Sequence, residues 1–264
     1  MKILKTILFL LASSLIFYSC DSTSSDSELG TMQVLLTDAP GNYDHVFIDI
    51  REARIHHSSD AEDGESGWID LDIEPGIYDL LELTNGRYEI LGEIDLEPGR
   101  YNQMRLILGD QNEVVIDGTT HSLMTPSAQQ SGLKLNIHAD IEGGEMYTLL
   151  LDFDANKSIV HAGQSGNIIL KPVIRTVRLE QTGTIEGTIE PAEALPWVYA
   201  IAGQDTIRGT RADTDGDFRL IGLPSDTYQV SIIPTHEDYN TAIVSGVEVN
   251  VGETTEMGTI TFED

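Results

Sequence analysis

The sequence predicts an all-β protein: two β-sandwich-like domains in series, behind a signal peptide and a flexible tether. Three observations carry that prediction. After residue 30, apolar and polar residues alternate in short runs, the period of strands whose side chains point to opposite faces. Turn residues, drawn from 24 glycines and 9 prolines, separate those runs. No long helical period interrupts them.

Residues 1–19 come first. Lys2 and Lys5 precede an apolar run from Ile7 to Tyr18. A membrane-spanning helix needs about 20 apolar residues, so the run suits the apolar region of a secretion signal instead. Ser19 directly before Cys20 resembles the lipobox of bacterial lipoproteins, with Phe17 and Tyr18 bulkier than the residues usual there. The resemblance implies a lipid on Cys20, attachment to the membrane through it, and an address in the cell envelope, the outer membrane being the expected one. Cys20 is the only cysteine, so no intramolecular disulfide can form. Residues 20–29 then read as the lipidated cysteine and an acidic tether with nothing to bury.

The first β-domain is expected over residues 30–179. Its first strand ends in the run Thr37-Asp38-Ala39-Pro40. Pro40 bars the right-handed helical conformation at Ala39, which fixes a turn. Asp38 either caps that turn with its own side chain or marks a site at the strand end. Tyr101 to Leu108 supplies another strand. NEVVIDGTTHSL is the clearest hairpin, with Asp117-Gly118 as the pair that tolerates positive φ. GLKLNIH alternates Leu133, Leu135 and Ile137 with polar residues, and the turn EGGE at 142–145 feeds the strand MYTLLLDF. Asn167 to Leu179 closes the domain. Only IYDLLEL, at 77–83, reads as a helical turn.

The pattern restarts at Gly183, and residues 183–264 hold about seven short strands, the size of a small β-sandwich. DTDGD at 213–217, PSDT at 224–227 and the stretch from His236 to Asn240 are its turns.

Two family resemblances follow these residues. The first domain resembles the bacterial family catalogued as domain of unknown function 4382, through V-L-L-T-D-A-P at 34–40, W-I-D-L at 68–71, D-L-L-E-L at 79–83 and P-G-x-Y-x-Q-x-R-L at 98–106. S-G-L-K-L at 131–135, L-D-F-D-A-N-K-S at 151–158 and L-K-P-V-I at 170–174 extend the likeness. It implies no activity. The second domain resembles the carboxypeptidase-regulatory-like β-sandwich, grouped with carbohydrate-binding-like and transthyretin-like folds. Its carriers are I-E-G-T-I at 185–189, D-T-D-G-D-F-R-L at 213–220 and L-P-S-D-T-Y-Q-V at 223–230, with Asp226 where the pattern has Gly. No peptidase domain accompanies it.

The chain carries 15 basic and 44 acidic residues, a net charge of −29. Nucleic acid is excluded as a charge-driven partner, because phosphate neutralisation needs clustered Lys and Arg. Zinc and nucleophile motifs are missing: no H-E-x-x-H, C-x-x-C or G-x-S-x-G occurs. Calcium is the one metal with a candidate, at Asp152 and Asp154, which share a strand face and offer the oxygen ligands a hard cation takes. Asp213, Asp215 and Asp217 repeat that spacing inside a turn. The bland reading of both stretches is a strand end and a turn that happen to be rich in Asp. Trp197 and Tyr199, two apart in PWVYAIA, are the candidate ligand-binding residues. If their face is outward they form a platform for sugar rings; if inward they are core, with Val198 and Ala200 outside. The sequence therefore predicts a non-catalytic binder of glycan or envelope protein. A structural spacer is the alternative, and a hydrolase with an unrecognised site is a third.

Overall fold

The computed structural model describes residues 28–39, 41–62, 64, 66–125, 132–163 and 166–262. The expectations for residues 1–19, for Cys20 and for most of the 20–29 tether lie outside the described residues.

Fourteen strands build the first two sheets: β1 (Gly30–Ala39), β2 (His45–His56), β3 (Ile69–Asp70), β4 (Asp72–Ile73), β5 (Gly76–Asp79), β6 (Glu89–Leu96) and β7 (Gly99–Leu108), then β8 (Glu113–Ile116), β9 (Thr119–Met124), β10 (Leu133–Ile141), β11 (Met146–Asp154), β12 (Ile159–Ala162), β13 (Asn167–Leu170) and β14 (Ile174–Arg178). One sheet runs β14-β11-β1-β6-β4. The facing sheet runs β10-β7-β2-β8-β9-β13-β12, with β3 and β5 also paired to β2. Met32, Val34 and Leu36 of β1 and Leu149, Leu151 and Phe153 of β11 project from the first sheet onto Ile48, Ile50, Met104 and Leu106 of the second. That is a sandwich core of alternating inward side chains.

Seven strands follow: β15 (Gly183–Glu190), β16 (Trp197–Ala202), β17 (Asp205–Arg211), β18 (Asp217–Leu223), β19 (Asp226–Ile233), β20 (Ala242–Val249) and β21 (Thr254–Thr261). They form the sheets β18-β15-β21 and β17-β16-β19-β20. Ile185, Phe218, Leu220, Tyr228, Val230 and Ile232 fill the space between them. The fold is all-β, as the alternation predicts.

Turn chemistry follows the sequence closely. Asp117 and Gly118 both take positive φ, 49° and 72°, between β8 and β9, and the Gly118 N–H donates to Asp44 at 2.7 Å. In DTDGD one Asp213 oxygen accepts the N–H groups of Asp215 and Asp217, each at 3.0 Å. Those bonds make Asp213 the residue that holds the turn. The expected helical turn at 77–83 is half strand. Ile77, Tyr78 and Asp79 pair with β2, and only Leu80–Leu83 forms a single 3₁₀ turn, capped by Asp79 accepting the Leu81 N–H. At LDFDANKS the strand instead gives way to a helical turn, α1 (Ala155–Ser158), capped by Asp154, which accepts the Lys157 N–H.

The two sandwiches meet along the outer face of β1, β11 and β14. Leu35 and Leu150, which point away from the first core, pack with Ile221 of β18. Burying such a side chain contributes roughly 1.5–3 kcal/mol relative to exposure. This second contact explains the consecutive apolar residues Val34, Leu35 and Leu36 of β1 and Leu149, Leu150 and Leu151 of β11: both faces of the strands are covered there. Asn85 adds a polar latch from a left-handed turn, φ 57°. Its side-chain amide donates to the Asp217 carbonyl at 3.0 Å and its oxygen accepts the Arg219 N–H at 2.6 Å. It thus occupies the outer edge of β18 much as a neighbouring strand would. Its own N–H donates to Thr210 Oγ1 at 2.9 Å.

Candidate functional site

A cleft of about 310 Å³ opens where the end of β11, α1 and β14 meet β16 and β17. That is the small end of the range for ligand pockets, about 300–1,000 Å³. Its floor is an ionic cluster built by strand register. Asp152 on β11 lies directly across from Arg175 on β14, and Arg175 donates to Asp152 Oδ2 from Nε at 3.2 Å. From the second sandwich, Arg208 on β17 closes an ion pair on the other oxygen, Oδ1. Arg208 also donates to Thr37 Oγ1 at 3.1 Å, and Arg175 to the Gly222 carbonyl at 3.3 Å. Asp152 and Arg208 are almost wholly buried, with side chains 7% and 3% exposed.

Asp38 lies against this cluster. One carboxyl oxygen accepts the Ala155 N–H at 3.0 Å, and the other has no partner among the described residues. Burial pushes its pKa well above the usual carboxylate range, and the charge of Asp152 adds to the rise; the Ala155 N–H and Arg208 oppose it. Burial therefore favours the protonated form of Asp38 over the carboxylate. The turn-capping expectation does not hold: among the described residues the side chain accepts from the start of α1, not from its own turn.

At the rim, Lys157 pairs with Asp154 at 2.8 Å, while Asn156 joins them in the lining. The opposite wall is Tyr199. Its ring lies on Gly209, its cross-strand partner, where an added Cβ would stand 2.9 Å from the ring carbons. Glycine at 209 is what lets the ring lie flat there. Burial, and then the charge of Asp154, raise the Tyr199 pKa.

The two residues expected to hold calcium thus do share one face and one cleft. Their charges are met by side chains of this chain: Asp152 by two guanidinium groups and Asp154 by an ammonium group. Among the described residues, no group of three or more His, Cys, Asp or Glu side chains is placed to hold a metal ion.

Trp197 and Tyr199 face outward. Val198 and Ala200 between them are fully buried, so the inward alternative for the aromatic pair does not hold. The register extends the outer face across the sheet. Trp197 lies between Arg211 and Ile233, and Tyr199 between Gly209 and Ser231, with Ile243 beyond Ser231. Ile233 and Ile243 are 40% and 59% exposed. The Arg211 guanidinium stands 5.3 Å from the indole centroid, a cation–π contact that holds the ring in place.

A second gathering of carboxylates sits on the second sandwich, where Glu186 and Glu256 are register partners on β15 and β21. The hydrogen bond with Glu186 raises the pKa of Glu256. Arg219 pairs with Glu186 from across the strand. The pair stands on an open face, where water has free access.

The model of one protein family, described as a domain of unknown function (DUF4382), matches residues 29–172. The chain belongs to that family. Its DUF4382 region contains Asp38, Asp152, Asp154 and Lys157, and stops just before β14, the strand that supplies Arg175. No curated protein matches the chain. Among solved structures, a type II cohesin–X-dockerin complex of Acetivibrio cellulolyticus is 22% identical over 30% of this chain and 56% of its own, at a TM-score of 0.23. The Bacillus anthracis TIE protein is 13% identical over 89% of this chain and 34% of its own, at 0.24. A minor pilin of Streptococcus agalactiae is 13% identical over 88% and 95%, also at 0.24. The chain thus spans little more than half of the first of these and a third of the second. At such scores none of them bears on what the DUF4382 domain does.

Arg175 and Arg208 are the site residues that sequence reading passed over. One signal for them was available. In a chain with only 15 basic residues, an arginine at an alternating strand position beside an apolar run calls for a buried acid.

Proposed function

We propose that the protein is a non-catalytic glycan-binding component of the cell envelope, held there by lipid on Cys20. The observation that carries this reading is the outward face of β16, where Trp197 and Tyr199 stand in a row with Ile233 and Ile243 alongside. Sugar rings present apolar C–H faces, and rigid aromatic side chains cover them with few rotors to freeze. The likeness of residues 183–264 to carbohydrate-binding-like sandwiches agrees with it, although fold analogy alone assigns no function. β1 starts at the tether and ends at the cleft; its 10 residues at ~3.3 Å each separate the two by roughly 30 Å. A ligand there would be met well clear of the anchor.

The test is a titration of the full chain in detergent with oligosaccharides, in a Trp68→Phe background so that Trp197 alone reports. Saturable fluorescence change is the expected result. Trp197→Ala, followed by calorimetry, should abolish binding with little loss in melting temperature. A Trp197→Ala chain that binds as before would remove the basis for the reading.

A second reading is favoured by a specific observation. The Asp152–Arg208 pair, the Asn85 latch and the Leu35–Leu150–Ile221 patch join the sandwiches at three places. Such a joint suits a stiff spacer, and a chain with no glycan ligand but unaltered export and anchoring would fit that role.

A further inference from the structure

We propose that Asn85-Gly86 is a deamidation site guarded by the joint between the sandwiches, and that conversion of Asn85 to aspartate or isoaspartate releases that joint. Asn85-Gly86 is the one Asn-Gly step in the sequence. It stands where a turn of the first sandwich docks on β17 and β18 of the second.

The turn leaves little choice of residue. Asn85 and Gly86 take positive φ, 57° and 77°, and the Arg87 N–H donates to the Thr84 carbonyl at 3.1 Å across them. Two successive positive φ angles favour Asn followed by Gly. Docking narrows the choice further. The latch needs a donor for the Asp217 carbonyl and an acceptor for the Arg219 N–H on one short side chain. A primary amide supplies both, and a carboxylate does not. At position 86 an added Cβ would stand 2.7 Å from Cδ of Arg219 and 3.2 Å from its Cβ, so close docking requires glycine there. Glycine also leaves its own backbone nitrogen unshielded by a side chain. The pair that makes the latch is thus the pair whose chemistry can undo it.

The reaction is intramolecular. The Gly86 nitrogen gives its proton to solvent and attacks Cγ of Asn85; the new C–N bond closes a cyclic imide, and the Cγ–Nδ2 bond breaks to release ammonia. Water then opens the imide at either carbonyl, giving aspartate from one and isoaspartate from the other. Docking opposes the first step. Asn85 Nδ2 is bonded to the Asp217 carbonyl and Oδ1 to the Arg219 N–H, and neither bond survives the turning of Cγ onto the Gly86 nitrogen. Thr210 Oγ1 holds the Asn85 N–H as well. An opened joint frees all three groups. Water has access, since Gly86 lines an open hollow of about 500 Å³ with Tyr88, Arg219 and Ile221. The product no longer fits. Aspartate puts a carboxylate oxygen where Nδ2 stood, 3.0 Å from the Asp217 carbonyl oxygen, acceptor against acceptor. Asp213, Asp217, Glu186 and Glu256 share the hollow beside residue 85 and add like charge. Isoaspartate also lengthens the backbone by a methylene, which ends the bond from Arg87 to Thr84. Opening of the joint is thereby made permanent.

The experiment ages the full chain in detergent in three states: native, unfolded in urea, and as Ile221→Ala. Ile221 packs on Leu35 and Leu150, so its truncation loosens the joint. Trp68 and Trp197, read separately in Trp197→Phe and Trp68→Phe backgrounds, report whether each sandwich stays folded. Should Ile221→Ala lose either signal, Thr210→Val takes its place, since it removes only the acceptor of the Asn85 N–H. Peptide mass spectrometry counts acid at position 85, and labelling by isoaspartyl methyltransferase counts isoaspartate. Two hydrogen bonds must break before the attack, so the native chain should deamidate at least about tenfold more slowly than the unfolded one. The loosened variant should approach the unfolded rate with both tryptophan signals native. Asn85→Asp supplies the product directly, and its Trp68 and Trp197 unfolding transitions should lie further apart than those of the native chain. Equal rates in the native and unfolded chains, or a loosened variant as slow as the native chain, would overturn the guard. Unfolding of Asn85→Asp like that of the native chain would overturn the release. Loss of amide from other asparagines ahead of Asn85 in the unfolded chain would overturn the site.

Discussion

Replacing Asp152 by alanine tests whether the floor of the cleft holds the sandwiches together through charge. In the native chain Asp152 answers two guanidinium groups, and the one from the second sandwich, Arg208, is 3% exposed. Asp152→Ala leaves that cation buried with Thr37 Oγ1 as its remaining partner. Breaking a buried pair from one side costs about 3–5 kcal/mol, a large share of a typical total of roughly 5–15 kcal/mol. Arg208→Met is the instructive contrast. It removes the buried cation and keeps a side chain of similar reach, while Asp152 retains Arg175, so the cost should be about 1 kcal/mol. The double variant strands no fully buried charge, because Arg175 reaches solvent at the cleft. It should therefore be more stable than Asp152→Ala alone, a non-additivity expected only of residues in one network. Urea unfolding at neutral pH, followed by the fluorescence of Trp68 in the first sandwich and Trp197 in the second, reads all three. The reasoning fails if Asp152→Ala costs less than about 1 kcal/mol, or if the double variant is the least stable of the set.

The remaining predictions concern single groups. Asp38 has a folded pKa raised above its ordinary value of 3.8, so the folded state holds a proton that the unfolded state releases. The stability this contributes is complete below pH 3.8 and is lost as pH rises toward the folded value. Asp38→Asn keeps an oxygen for the Ala155 N–H and removes the proton; its stability relative to the native chain should rise as pH climbs above 3.8, and parallel curves would refute the raised pKa. Calcium at millimolar concentration should leave the melting temperature equal to that in chelator, since Asp152 and Asp154 already face cations of this chain. A rise that follows RT ln(1 + [L]/Kd) would restore the calcium reading. Cys20→Ser should move the protein from the membrane fraction to the soluble one, and mass spectrometry of the native chain should find an acylated N-terminal Cys20; a mature chain that keeps Met1 would contradict lipidation.

How much of this was legible in the sequence depends on the range of the interaction. Local rules worked. Asp117-Gly118 gave its hairpin because positive φ at two successive positions admits few other residues. The alternation in GLKLNIH gave a strand with Leu135 and Ile137 buried, and DTDGD gave a turn. LDFDANKS was harder: its alternating acids fit a strand, yet Asp154 is also a good helix cap, and the cap prevailed at Ala155. The site itself depends on pairs distant in sequence. Asp152 and Arg175 become neighbours only through the register of β11 and β14, and Arg208 arrives from another sheet. Periodicity reports which residues share a face, not which face meets a second domain. The three successive leucines of MYTLLLDF, Leu149 to Leu151, were the visible trace of that second contact. For Trp197 and Tyr199 the period fixed a common face, but its direction was decided by Val198 and Ala200, whose small side chains fit the thin core beside Phe218 and Tyr228.

The measurement closest to the central claim is a glycan-array screen of the full chain beside its Trp197→Ala, Tyr199→Ala double variant. Both substitutions fall on the outward face of β16 and leave the core contacts of Val198 and Ala200 in place. The account predicts a set of glycans retained by the native chain and lost by the double variant. Retention of the same glycans by both chains, or of none by the native chain, would contradict it.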